Sequence, residues 1–178
     1  MDWIYETDKS GNYRYSLGKK GEKTLLCIGV NPSQAKPEQY DGTVSSVERI
    51  SIYNQFDSWV MLNLYPQRSA DPKLLHNRIQ KIYHQENLEI IESFLEEDDP
   101  VIWAAWGNLI DCRPFLKHCL SDIFNLSQFY DCQWLSAGDP LKAGHPRHPL
   151  YLKKTTILSE FDMEHYMERV IQPEDDIS

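Results

Sequence analysis

Asn31 follows a short apolar run at 24–29 (TLLCIG), Asn63 closes another at 58–63 (SWVMLN), and a third run at 101–106 ends on Trp106 with Gly107 next. About ten residues after a fourth run, Gly144-His145-Pro146-Arg147-His148-Pro149 sets two imidazoles and a guanidinium between prolines. Amides that both donate and accept, imidazoles that do the same, and a forked cation are suited to reading a ligand's polar edge, orienting a water and gripping an anion. A residue before proline is pushed out of the α region, so Asn31 and His145 are expected to be extended, with their side chains presented. Each position also has a plainer reading. Ser33 could cap a helix, Asn31 could close a turn through its own backbone, Asn63 could satisfy a strand-end loop, and His148 could be a surface or capping residue. Two histidines with a proline between them could also hold a metal, but no further ligand cluster has suitable spacing, and neither metal nor cofactor is expected.

The elements that must position these residues follow from the hydrophobic pattern. The runs 24–29, 58–63, 101–106 and 129–135 read as strands buried on both faces, roughly 35–40 residues apart. Between them, 44–56, 72–82, 85–95 and 108–120 carry helical periodicity. Strands alternating with helices imply parallel crossovers, hence an α/β fold: a three-layer αβα sandwich around a mostly parallel four-stranded sheet. Aromatic stretches on either side of Asp8-Lys9-Ser10-Gly11 add an N-terminal β-hairpin. One domain over 1–171 is expected, with 172–178 as a frayed acidic tail. Open parallel sheets bind ligands at the carboxyl ends of their strands, so Asn31, Asn63 and the Trp106-Gly107 step should converge on one crevice.

Composition removes several alternatives. There is no apolar run of membrane-spanning length and no basic-then-apolar leader, so a cytoplasmic protein without membrane contact is expected. Cys27, Cys112, Cys119 and Cys132 contain no C-x-x-C pair and read as reduced structural thiols. Eighteen Lys and Arg against 27 Asp and Glu give a net charge of −9, which argues against coating nucleic acid by bulk attraction. Yet 140–159 and 9–24 each carry +4, leaving −17 for the rest, so a local basic face flanking the crevice is expected. No nucleophile elbow, phosphate-binding lysine loop, dinucleotide fingerprint or zinc-deaminase pattern occurs.

Taken together, IGVNPSQA (28–35), NLYPQRSADP (63–72), WAAWGN (103–108) and GHPRHPLYL (144–152) resemble a bacterial and phage family known only as domain of unknown function 1643, over about 24–152. More distantly, they resemble the uracil-DNA glycosylase superfamily, which has a G-x-N-P or G-x-D-P loop, a strand-end Asn, a W-G step and a late H-P-S loop. The superfamily resemblance implies a parallel four-stranded sheet between helices. Carried over, it makes Asn31 the residue that orients the attacking water and His145 the one that stabilises the departing base. It places Asn63 on the base edge, with Gly29 and Ser33 shaping the base pocket, and makes Trp106 and Gly107 scaffold. Asp41-Gly42-Thr43 is what survives of its D-x-T-x-R-R stretch, and Arg147 stands where a small phosphate-contacting residue is usual.

Cleavage of an N-glycosidic bond leaves negative charge on the departing base, and losing one donor aimed at that charge typically costs ~10²–10³ in rate. An Asn in the water position offers only its carbonyl and forgoes the roughly 10²–10⁴ of general-base help, so a slow enzyme is expected. Arg147, His148, Lys142 and Lys153 are the candidate phosphate contacts. Leu150 or Tyr151 is the candidate wedge filling the gap left by a flipped base. The expected partner is therefore DNA, single-stranded or with one flipped base. A nucleobase or nucleotide site without glycosylase activity is the alternative, and a non-enzymatic interaction module the third.

Overall fold

In a computed structural model describing residues 2–172, one seven-stranded sheet runs in the order β1-β2-β4-β3-β5-β6-β7. The strands are β1 (Trp3–Thr7), β2 (Arg14–Lys19), β3 (Thr24–Gly29), β4 (Ser58–Asn63), β5 (Val101–Ala104), β6 (Gln133–Ala137) and β7 (Leu158–Glu160). β4, β3, β5 and β6 are mutually parallel, as the alternation of strands and helices requires, while β1, β2 and β7 extend the sheet antiparallel. The sheet is therefore wider than the four strands expected. The hairpin joins its edge by pairing Leu17 with Met61, and the three-residue β7 closes the other side against β6.

Alternate side chains of the central strands feed two cores. Leu26, Ile28, Val60, Leu62, Ile102 and Ala104 face α2 (Lys81–Leu95), α3 (Pro114–Ser127) and α4 (Met163–Tyr166). Leu25, Cys27, Trp59, Met61 and Trp103 face α1 (Gly42–Tyr53) through Val44, Val47 and Ile50. Helices thus lie on both faces of the sheet. No helix among the described residues is long and apolar enough to cross a membrane.

Three expected elements fall differently. Of the expected 72–82 helix, Pro72–Leu74 turns as 3₁₀ and only Lys81 and Ile82 are α-helical, as the start of α2. The carbonyls of Lys73, Leu75 and His76, which a helix would use internally, instead accept hydrogen bonds from the Arg113 guanidinium. The expected 108–120 helix is broken at Arg113, whose extended backbone (φ −142°, ψ 131°) precedes Pro114. A 3₁₀ segment (Gly107–Cys112) lies before the break and α3 after it. The fourth strand begins at Gln133, because α3 continues to Ser127 and Phe129–Asp131 form the turn that follows. Of the expected acidic tail, residues 173–178 lie outside those described.

Candidate functional site

The carboxyl ends of β3 and β4 sit side by side, Gly29 opposite Asn63, with the backbone clasped above them by Leu64 N–H to Gly29 O (2.9 Å) and Ala105 N–H to Ile28 O (3.0 Å). Over these ends opens a cavity of about 190 Å³. Pockets for drug-sized ligands run to about 300–1,000 Å³, so this one suits a single ring. Its wall includes Gly29, Asn31, Ser33 and Asn63 from the expected set, and His148 and Leu150 from the late loop. A larger depression of about 800 Å³ beside β6 and β7 is lined by Asp131, Glu160, Asp162 and Glu164. Among the described residues, its lining includes no buried polar atom lacking a partner, whereas that of the smaller cavity does.

Besides Arg14 Nε, one such atom is Asn63 Nδ2. The residue is 1% exposed, its backbone oxygen accepts from Asn87 Nδ2 at 2.9 Å, and its side-chain nitrogen has no partner among the described residues. Buried amides in proteins are almost always hydrogen-bonded, and the described residues leave this nitrogen without an acceptor. Gly29 leaves it room: a Cβ there would lie 3.2 Å from Asn63 Oδ1.

Asn31 is oriented by the opposite device. Its Nδ2 donates to the carbonyls of Pro32 (3.0 Å), Gln67 (3.3 Å) and Ser69 (3.0 Å). These three acceptors fix which end of the amide is nitrogen and leave Oδ1 without a donor among the described residues. Ser33 is not a helix cap. The cap of α1 is Asp41, which accepts from Val44 N–H at 2.8 Å while its other oxygen receives the Ser33 hydroxyl.

The two histidines have separated roles. His145 is 2% exposed and does not line the cavity. Trp106 Nε1–H donates to the Tyr166 oxygen (2.8 Å), and that oxygen lies 2.8 Å from His145 Nδ1. The other ring nitrogen lies 2.8 Å from Asp111, whose second oxygen meets Lys117 at 3.3 Å. Since indole only donates, the consistent chain runs Trp106 to Tyr166 to His145 to Asp111, and both imidazole nitrogens are spent. Burial works against ionisation of Asp111, but His145 and Lys117 hold its carboxyl below the usual value. His145 therefore anchors the late loop to the core and has no donor left for a ligand.

His148 is the imidazole that faces the cavity. Its Nδ1 accepts Leu150 N–H at 3.1 Å, which puts the ring proton on Nε2. Burial pushes its pKa below 6.5, against the pull of Asp41, so the ring is neutral at pH 7. The linkage has a definite sign. The unfolded chain takes up a proton as pH falls through about 6.5 and the folded ring does not, so stability conferred by neutral His148 is complete above that pH and declines below it. Denaturant titrations from pH 8 to 5 are expected to show this decline, and His148→Gln to flatten it.

The Trp106-Gly107 step is the dock for this loop. Gly107 has φ +59°, its N–H donates to Pro146 O at 3.0 Å, and a Cβ there would meet His148 Cβ at 3.1 Å. Gly107→Ala is expected to cost about 1–2 kcal/mol from the left-handed backbone alone and to displace His148. A lowered melting temperature accompanied by weakened ligand binding would check both parts.

Of the other expected contacts, Arg147 is exposed and donates to Asp139 O at 2.8 Å, and Lys142 and Lys153 are exposed away from the wall. Leu150 lines the cavity, and Tyr151 beyond it is 95% exposed at φ +72°. The two charged side chains of the wall, Asp41 and Arg14, fall outside the expected set. Arg14, 2% exposed at the start of β2, donates from Nη1 to Ala35 O at 2.9 Å. Burial pushes its pKa down to about 10, aided by Arg68 and opposed by Asp41, so it stays a cation at neutral pH. Its signal in the sequence was a charge inside a strand. That strand becomes buried only when the hairpin joins the sheet.

The family described as Protein of unknown function (DUF1643) matches residues 14–150. The chain belongs to this family. The part that matches DUF1643 begins at Arg14 and ends at Leu150, both on the cavity wall, while Tyr166, the anchor of His145, lies beyond it. No curated protein and no solved structure matches the chain.

Proposed function

We propose that the cavity receives one pyrimidine-type base flipped out of DNA, and that the chain is a DNA glycosylase-like protein that hydrolyses the bond between that base and its sugar. The observation that carries this reading is the unpartnered Asn63 amide in the wall of a cavity the size of one ring. An amide offers a donor and an acceptor side by side, the complement of the imide edge of a uracil-type base. The resemblance to the uracil-DNA glycosylase superfamily supports the same reading, as do four parallel strands with helices on both faces.

In this scheme Asn31 Oδ1 accepts a hydrogen bond from water and aims it at the anomeric carbon. The bond to the base breaks with its electron pair leaving on the base, water adds to the sugar, and the water's proton is released. His148 Nε2–H, neutral and unspent, donates to the base oxygen that gathers charge, the role the sequence resemblance had assigned to His145. Tyr151, bulky, exposed and held in a left-handed conformation next to a wall residue, is the wedge this scheme requires.

The test is a base-release screen over single-stranded and duplex DNA carrying uracil, hypoxanthine, T·G mispairs and modified pyrimidines, with Asn31→Ala as control. Release that falls at least about tenfold in the control supports the scheme. Silence from folded protein on every substrate overturns glycosylase activity. A second reading, a nucleotide site without base release, is favoured by the buried cation Arg14 in the cavity wall. Tight binding of a mononucleotide with no release would establish it.

A further inference from the structure

We propose that the cavity is built for a pyrimidine ring bearing an ionised acidic group, a carboxylate, and that Arg14 is the residue that selects it. The inference rests on the reading that the cavity takes a pyrimidine.

Arg14 is anomalous as a structural residue. Its guanidinium has five N–H donors in a planar fork. Of these, one is used among the described residues, from Nη1 to Ala35 O, and Nε is buried with no partner among them. No carboxylate among the described residues lies within ion-pair distance of it. The neighbouring guanidinium compounds the imbalance. Arg68 donates to the carbonyls of Ser33 (2.7 Å) and Ala35 (3.4 Å), so two cations converge on one backbone oxygen, and Arg68 Nε is likewise buried and unpartnered. Asp41, the one acid in the cavity wall among the described residues, is already engaged by Val44 N–H and the Ser33 hydroxyl.

A buried charge without a partner destabilises a fold, so a chain that keeps one beside an open cavity has its partner arriving from outside. The unused donors fit a planar oxyanion, which a guanidinium can hold with two parallel hydrogen bonds. The size of the cavity, about 190 Å³, points to a carboxylate attached directly to the ring held by Asn63 rather than to the phosphate of an entire nucleotide.

The test uses the full chain and calorimetric titration at low salt with 5-carboxyuracil, 6-carboxyuracil, uracil, uridine 5′-monophosphate and inorganic phosphate. One carboxyuracil is expected to bind about tenfold or more tighter than uracil, the scale of a charge-assisted hydrogen bond. Arg14→Met is expected to shrink that difference to within about threefold, and its melting temperature without ligand to equal or exceed that of the parent. Equal affinity for uracil and both carboxyuracils, or a preference that survives in Arg14→Met, overturns the proposal. A lower melting temperature in Arg14→Met overturns it too, by making the residue structural. Preference for the monophosphate over both carboxyuracils reassigns the anion to phosphate and overturns the carboxylate. Uracil binding that depends on Asn63 without any carboxylate preference leaves the base reading standing and removes only the anion. If no ring binds, both fall together.

Discussion

Asn63→Ala is expected to weaken binding of a uracil-type base by about 1–3 kcal/mol, roughly 5- to 150-fold, the worth of a bidentate edge contact. The same substitution should leave the melting temperature of the free protein unchanged or raise it. The two halves belong together because of what Asn63 does in the fold. Its backbone oxygen is held by Asn87, which alanine preserves, whereas its side-chain nitrogen has no partner among the described residues. Removing a buried donor that has no partner relieves a desolvation cost rather than breaking a contact. Titration with uracil and thermal melting of the free protein give both numbers. A large drop in stability with unchanged affinity would show that the amide serves the fold, and the site reading would then fail.

The second large effect separates the two histidines. His148→Ala is expected to lower base release by ~10²–10³, the usual cost of one donor aimed at developing charge, with little change in stability. His145→Ala should do the reverse. It leaves Tyr166 and Asp111 without their imidazole partner, and an interrupted buried hydrogen bond costs about 1–3 kcal/mol, worth roughly 2–4 °C per kcal/mol in a chain of this length. Release by His145→Ala, measured well below its melting point, should stay within about tenfold of the parent. Single-turnover rates and melting curves of the two variants decide the matter. A rate collapse in His145→Ala with an unchanged melting temperature would return the donor role to that residue.

This reversal marks where the sequence stops being legible. His145-Pro146 and His148-Pro149 are equivalent as text, each an imidazole before a proline. Which of them faces the crevice is decided by Asp111 and Tyr166, which lie 34 and 21 residues from His145 and capture it first. The central strands were legible because residues buried on both faces must be continuously apolar, and 25–29, 59–62 and 101–104 are. Asn63 and the Gly29 loop could be placed on the site because strand ends in such sheets converge. The segment 72–80 misled because its apolar spacing is helical, while Arg113, far along the chain, draws off its carbonyls. β7 has three residues, too few to carry a period. Arg14 went unread because an arginine between tyrosines suits an exposed hairpin, and only pairing of β2 with β4 buries it.

The wall of the cavity draws on Arg14 near one end of the described chain and on His148 and Leu150 near the other, with Asn31 and Asn63 between. Such a site exists only once the most distant segments have met, and contacts of that separation form late and slowly. A ligand that fills it acts as a clasp on the finished molecule, favouring the closed state by its affinity for that state alone. Hydrogen exchange should register this as slower amide exchange in the hairpin and in residues 144–150 together. A partly folded chain, even with β3, β4 and β5 paired, would hold nothing.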